Sequence, residues 1–184
     1  MEPLRSEEPA AERPGLVSRA ARIRDPPRPR AVLEAAEAPR TFWAAPGEAT
    51  VVGSGAAATI TDEGPDRFHA VRAAAAELFS AGDVHARAMS ARPRLFGGFS
   101  FHDEYSAEDS WKGYPGAKFV LPRVQVTYDD EGAWLSVNAV DADPETVEAR
   151  LETARGELPA AGSAAAPGGP PGVRSRQRTT SKAE

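Results

Sequence analysis

Residues 118–140 read KFVLPRVQVTYDDEGAWLSVNAV, and this stretch decides the fold class. Val124, Val126 and Tyr128 alternate with Gln125 and Thr127, the period of two that a half-buried strand imposes. Asp129–Gly132 is an acidic turn closed by glycine, and Ala133–Val140 returns as a second apolar strand. The spacing predicts a β-hairpin over Lys118–Val140. Pro122 has no N–H for a ladder, so it belongs at an edge or a bulge.

Downstream of the hairpin, Asp143 is a credible N-cap, Pro144 takes the first helical position and Glu145 lies near the positive end of the helix dipole. Val147, Leu151 and Ala154 give that helix one apolar stripe. Upstream lies RLFGGFSFH, Arg94–His102, predicted as a strand with Leu95, Gly97, Phe99 and Phe101 on one side. Its two central glycines mark a bulge or a close backbone approach. Earlier still, Phe68, Val71, Ala75, Leu78 and Phe79 fall at steps of three and four and predict a helix over Pro65–Ala81. Three short strands are expected at Thr41–Ala45, Ala49–Val52 and Ala56–Thr61, with Pro46, Gly47, Gly53 and Gly55 as turns. A short helix follows from Pro29 to Glu37, and a poorly patterned strand spans Gly15–Ile23. Together these elements make an α+β fold: an antiparallel sheet with flanking helices.

The two ends read differently. Residues 1–14 are rich in Glu, Pro and Arg and are expected to be disordered. From residue 156 the sequence turns to Pro, Gly and Ala. Leu158 and Val173 are its only large aliphatic side chains, so residues 156–184 read as a disordered basic tail. The folded region is expected over 15–155.

Composition narrows the function. The 184 residues suit one domain with a modest core. With no cysteine, a disulfide framework, a thiolate metal site and a cysteine nucleophile are all excluded. No apolar run approaches the roughly 18 residues that a membrane helix needs, and the charged amino terminus is no secretory signal. The expected setting is the cytoplasm, away from membranes. Residues 41–157 carry 10 Lys and Arg against 19 Asp and Glu, within a net charge of -5. Such a body argues against nucleic-acid binding, which needs a positive face. The tail cations Arg174, Arg176, Arg178 and Lys182 read as part of a random coil rather than an RNA-binding arm.

Candidate chemical groups mostly have plain readings. Arg19, Arg22, Arg24, Arg28 and Arg30 crowd twelve residues without interleaved aromatics, which favours a solvated strand face and turn over an anion patch. Gly53-Ser54-Gly55 lacks the third glycine and the following helix of a phosphate loop, so it reads as a hairpin turn. His69, His85 and His102 are not spaced as helical metal ligands. His102-Asp103-Glu104, and Glu108 and Asp109 with Lys112, read as polar loop. Ser54, Ser100 and Ser106 lie outside any nucleophile elbow.

One block stands above this. PRLFGGFSF at 93–101, a polar loop holding Trp111 and Tyr114, and AKFVLPRVQV at 117–126 form a specific combination. It resembles the amino-terminal region of isochorismate synthases, within the wider family of chorismate-utilising enzymes. FWAAPGEATVVGSGAAATI at 42–60 is similar to that family's early stretch, and the resemblance covers roughly residues 15–155.

The resemblance implies a large α+β fold of antiparallel sheets with helices outside, of which this chain holds an incomplete half. It implies an isomerase that adds water at C2 of chorismate and expels the C4 hydroxyl. Mg2+ is held by acidic residues, a lysine acts as base and a glutamate as acid, and the product feeds menaquinone or siderophore synthesis. A poor leaving group needs a proton, and an anionic substrate needs a cation. In the family those groups lie in the carboxy-terminal portion. No catalytic, cofactor-binding or metal-ligating residue is therefore carried over here; Lys182 lies in the polar tail, and Arg123 is expected to have a scaffold role. The chain is expected to be a truncated enzyme, inactive alone. The alternative is a non-catalytic scaffold or binding domain that pairs with a separate catalytic subunit. Either way, unpaired strands predict poor solubility or oligomerisation.

Overall fold

The computed structural model describes residues 15–80, 82–101 and 114–160. In chain order the elements are β1 (Leu16–Ile23), α1 (Pro29–Ala35), β2 (Arg40–Trp43), β3 (Thr50–Asp62), α2 (Arg67–Ser80), β4 (Asp83–His85), β5 (Phe96–Phe99), β6 (Ala117–Asp129), β7 (Gly132–Val140) and α3 (Pro144–Glu157). The strands form one sheet in the order β2-β3-β6-β7-β1-β4, and β5 also pairs with β6. Every pairing is antiparallel except β1 with β4, so the fold is α+β. The expected disorder of residues 1–14 lies outside the described residues, as does that of the tail beyond residue 160.

β6 is the spine. β3 runs along one edge of it over residues 117–128. On its other edge β5 takes residues 117–120 and β7 takes 124–129. Pro122 sits in the gap between those two partners, where a missing N–H costs no ladder bond. It is also beside a bulge, because β3 shifts register between Ala56 and Ala58. That bulge corrects one expectation. Gly53-Ser54-Gly55 is no hairpin turn, and Ala49–Val52 and Ala56–Thr61 are not separate strands. Gly55 takes φ +62 inside a single strand, just before the residues where the register shifts.

Directly opposed residues share a sheet face, so the register divides the sheet cleanly. On one face Val17, Val52, Val126, Leu135, Val137 and Ala139 pack against Val32 of α1 and against Val147 and Leu151 of α3. Asp143 caps α3 by accepting from the Thr146 N–H at 3.4 Å. The helix runs through Gly156 to Glu157, slightly past the change of composition.

The opposite face is polar yet buried. Ser18, Gln125, Thr127, Ser136 and Asn138 are all fully enclosed. Residues 90–93 cross above them, and their carbonyls accept from the sheet: Ala91 from Ser136 Oγ at 2.7 Å, Arg92 from Gln125 Nε2 at 3.2 Å. Ser18 Oγ donates to Asn138 Oδ1 at 2.7 Å, and Asn138 Nδ2 donates to Pro122 O at 2.8 Å. A polar group left unpaired there would cost about 1–3 kcal/mol, so the face is covered by main chain that can accept. α2 lies on this face too, by part of the apolar stripe expected of it: Val71 is buried and Ala75 and Leu78 are half-buried. Phe68 and Phe79 stay exposed, and Arg67 and Val71 are the buried residues.

Candidate functional site

The double glycine of β5 builds the most distinctive place in the molecule. Gly97 opposes Phe119 and Gly98 opposes Lys118. A Cβ on Gly97 would lie 1.9 Å from Lys118 O and 2.6 Å from Phe119 Cα, so only glycine lets the strands approach. Phe99 stacks on Phe68 of α2 at 4.3 Å and meets Phe119 at 4.9 Å, closing that side with aromatic contact. The expected strand Arg94–His102 is shorter in fact. Leu95 precedes it, and Phe101 lies past its end, fully exposed.

Arg67 holds this block to its neighbours. Only 1% exposed, it donates Nη1 to Gly64 O at 2.8 Å and Nη2 to Ser100 O at 3.0 Å, with its guanidinium 4.6 Å from the Phe68 ring. The Ser100 N–H donates to Gly116 O at 2.7 Å and ties the two ends of the intervening loop. On the other side of the strands a cleft of about 360 Å³ opens. Phe96, Gly98, Lys118 and Val120 share that side by register, and Pro39, Arg40 and Tyr114 add to the lining.

The other charged groups serve as ties. Arg22, Arg24, Arg28 and Arg30 are exposed as expected, but Arg19 departs from the solvated face: it is 7% exposed, with Nη2 at 2.6 Å from Asp83 Oδ2 and Nε at 3.6 Å from Glu148 Oε2. This joins β1, β4 and α3. His85 Nε2 lies 3.1 Å from the other Asp83 oxygen. The hydrogen bond from Arg19 leads the effects that hold the Asp83 carboxyl below its ordinary value, against a smaller upward push from desolvation. Arg123 pairs with Glu37, linking β6 to the chain after α1 and giving it the tie-like role expected. The Ser54 hydroxyl accepts from the Glu37 N–H at 2.8 Å.

Among the described residues the candidate groups are not gathered into a catalytic set. His69 is exposed on α2, His85 is on β4, Ser54 is on β3, and Ser100 is at the loop neck. His102, Asp103, Glu104, Ser106, Glu108, Asp109, Trp111, Lys112 and Lys182 lie outside the described residues. Sequence reading missed Arg67 and Arg19 as buried anchors.

With this geometry in place, comparison with protein families matches residues 5–182 to the chorismate binding enzymes. The chain belongs to that family. The match extends beyond the 15–155 of the sequence resemblance at both ends. No curated protein matched the chain.

The Mg2+ implied by resemblance to isochorismate synthases within the chorismate binding enzymes does not fit the described residues. Among them no group of three or more His, Asp or Glu is placed to hold a metal ion. Asp83 and Glu37 are held by arginines, and Asp129 caps its own turn by accepting from the Glu131 and Gly132 N–H groups at 2.8 and 2.9 Å. A hard divalent cation needs several convergent oxygens. No described helix is long and apolar enough to cross a membrane.

Proposed function

We propose that this chain supplies the scaffold of an isochorismate synthase-type site, where chorismate is converted to isochorismate in the cytoplasm. In this reading Mg2+, the base for the incoming water and the acid for the departing hydroxyl are held by polypeptide other than residues 15–160. The observation that carries it is the family match over residues 5–182. Supporting it, Arg19, Arg67 and Arg123 are each committed to a tie between elements. Such ties shape a frame.

The test is a coupled isochorismate assay with purified chain, chorismate and Mg2+. No turnover is expected from the chain alone; turnover proportional to its concentration would overturn the reading. A second reading, a non-catalytic domain pairing with a separate catalytic subunit, is favoured by β2. This edge strand leaves Phe42 53% and Trp43 50% exposed. Restored turnover on adding the separately expressed catalytic half of a family member would select it.

A further inference from the structure

We propose that residues 82–90 form a strap latched to the sheet by Arg19, able to open while the sheet stays folded, and that protonation of His85 tightens the latch. Isochorismate synthesis has no part in this; the grounds are the packing and the charges around β4.

The first ground is what the strap lacks. None of residues 82–90 is buried. β4 pairs with β1 alone, through Val17 with Asp83, Ser18 with Val84 and Arg19 with His85. Two cavities border Val84. One of about 420 Å³ opens beside Arg19, His85 and Glu148, and one of about 480 Å³ beside Phe79, Arg92 and Pro93. A segment with so little buried side chain opens at a lower cost than the whole fold.

The second ground is what holds it. Arg19 sits on an interior strand, and its Nη1 donates to Ser18 O at 3.0 Å and to Asp83 O at 3.1 Å. Its Nη2 donates to Asp83 Oδ2 at 2.6 Å, and Glu148 of α3 approaches Nε from the other side. One guanidinium thus gathers β4 and α3 onto β1. Beyond the strap, the Ala91 and Arg92 carbonyls are bonded to Ser136 and Gln125, so the far end stays on the sheet when the latch lets go.

The third ground is His85. Its Nε2 lies 3.1 Å from Asp83 Oδ1, the oxygen that Arg19 leaves free, and the ring is 71% exposed to solvent protons. The charged groups around it are Asp83 and Arg87 on its own segment, Arg19 on β1 and Glu148 on α3. Asp83 is the one in contact. Histidine is the side chain that ordinarily changes charge between pH 5 and 8. An imidazolium here adds a second cation to the carboxylate that Arg19 grips. The closed strap then binds the proton better than the open one, so it holds more firmly at pH 6 than at pH 8, and the gain is lost as pH rises.

The experiment is limited trypsin digestion of the full 184-residue chain, with the cuts located by mass spectrometry. Cleavage after Arg87 reports on the strap, and cleavage after Arg123, inside β6, reports on the sheet. The Arg87 cut is expected first. Asp83→Asn should speed it by about tenfold, as loss of a charge-assisted bond would, and leave the Arg123 cut unchanged. Equal acceleration at both sites would mean that the fold opens only as a whole, and no acceleration would mean that Arg19 is no latch; either overturns the proposal. His85→Gln, compared with the native chain at each pH so that the protease's own pH dependence cancels, should be cut about threefold faster after Arg87 at pH 6 and at the same rate at pH 8. Equal rates at both pH values, or the same excess at both, would remove the proton from the device.

Discussion

Two adjacent residues of one type have opposite stability consequences here. Gly97→Ala forces a methyl into Lys118 O, an obstacle made of backbone that cannot swing aside. The expected loss is about 3 kcal/mol, at the upper end for an overpacked site. Gly98→Ala meets no obstacle and restricts the unfolded chain, so a gain of about 0.5 kcal/mol is expected. Urea midpoints for the two variants check both signs. Tyr128 offers a residue-scale test against pH. Burial pushes its phenol up to about 12, from an ordinary 10. Its hydroxyl donates to Pro27 O at 2.8 Å. Between those pH values the unfolded chain releases the phenolic proton and the folded chain keeps it. The unfolded state then binds fewer protons, and stability falls as pH rises. Phenolate absorbance should reveal a group titrating near pH 12 that vanishes in Tyr128→Phe, and that variant should lose less stability over the same range.

Among the elements, β2 is the exposed one. It is a four-residue edge with two half-bare aromatics and no bulge in its pairing with β3. Open edges of this kind template further pairing unless a charge interrupts them. Phe42→Lys should shift sedimentation of concentrated chain toward monomer, at a cost below about 1 kcal/mol; an unchanged profile would put self-association elsewhere. The elements also show what a sequence reveals. The β6–β7 hairpin was legible because apolar residues recur at period two, and α3 because Asp143 and Pro144 mark its start. β3 was misread because glycine punctuates turns and bulges alike, and only the partner strand tells them apart. β4 was missed, since three residues hold no period. Gln125 and Thr127 looked like a solvent face; they are buried because residues 90–93 cover them, a fact without local signature. The candidate site was half legible. The glycine block drew notice, but the cleft cations Arg40 and Lys118 come from strands that only the sheet brings near one another.

At the scale of the whole molecule, the sheet is closed by strands far apart in the chain. β1 is an interior strand with β7 on one side and β4 on the other. Ser18 and Asn138, bonded to each other, are 120 positions apart. No periodicity predicts such a pairing, which is why fold class was readable and strand order was not. Removing residues 1–23 takes away Leu16, Val17 and the Arg19 tie at once. Loss of near-ultraviolet circular dichroism and of a cooperative melt is expected. A truncated chain that still unfolds in one sharp transition would mean that β7 and β4 manage without a strand between them.

That interior placement of β1 has a consequence for the chain's birth. A ribosome delivers Leu16–Ile23 early and its neighbour Gly132–Val140 more than a hundred codons later. At roughly 5–20 residues per second, the first strand waits on the order of ten seconds for its mate. During that interval its apolar side chains lack the β7 and α3 neighbours that complete their packing. Slowing translation lengthens their exposure, and a holdase at the exit tunnel would find its natural client there.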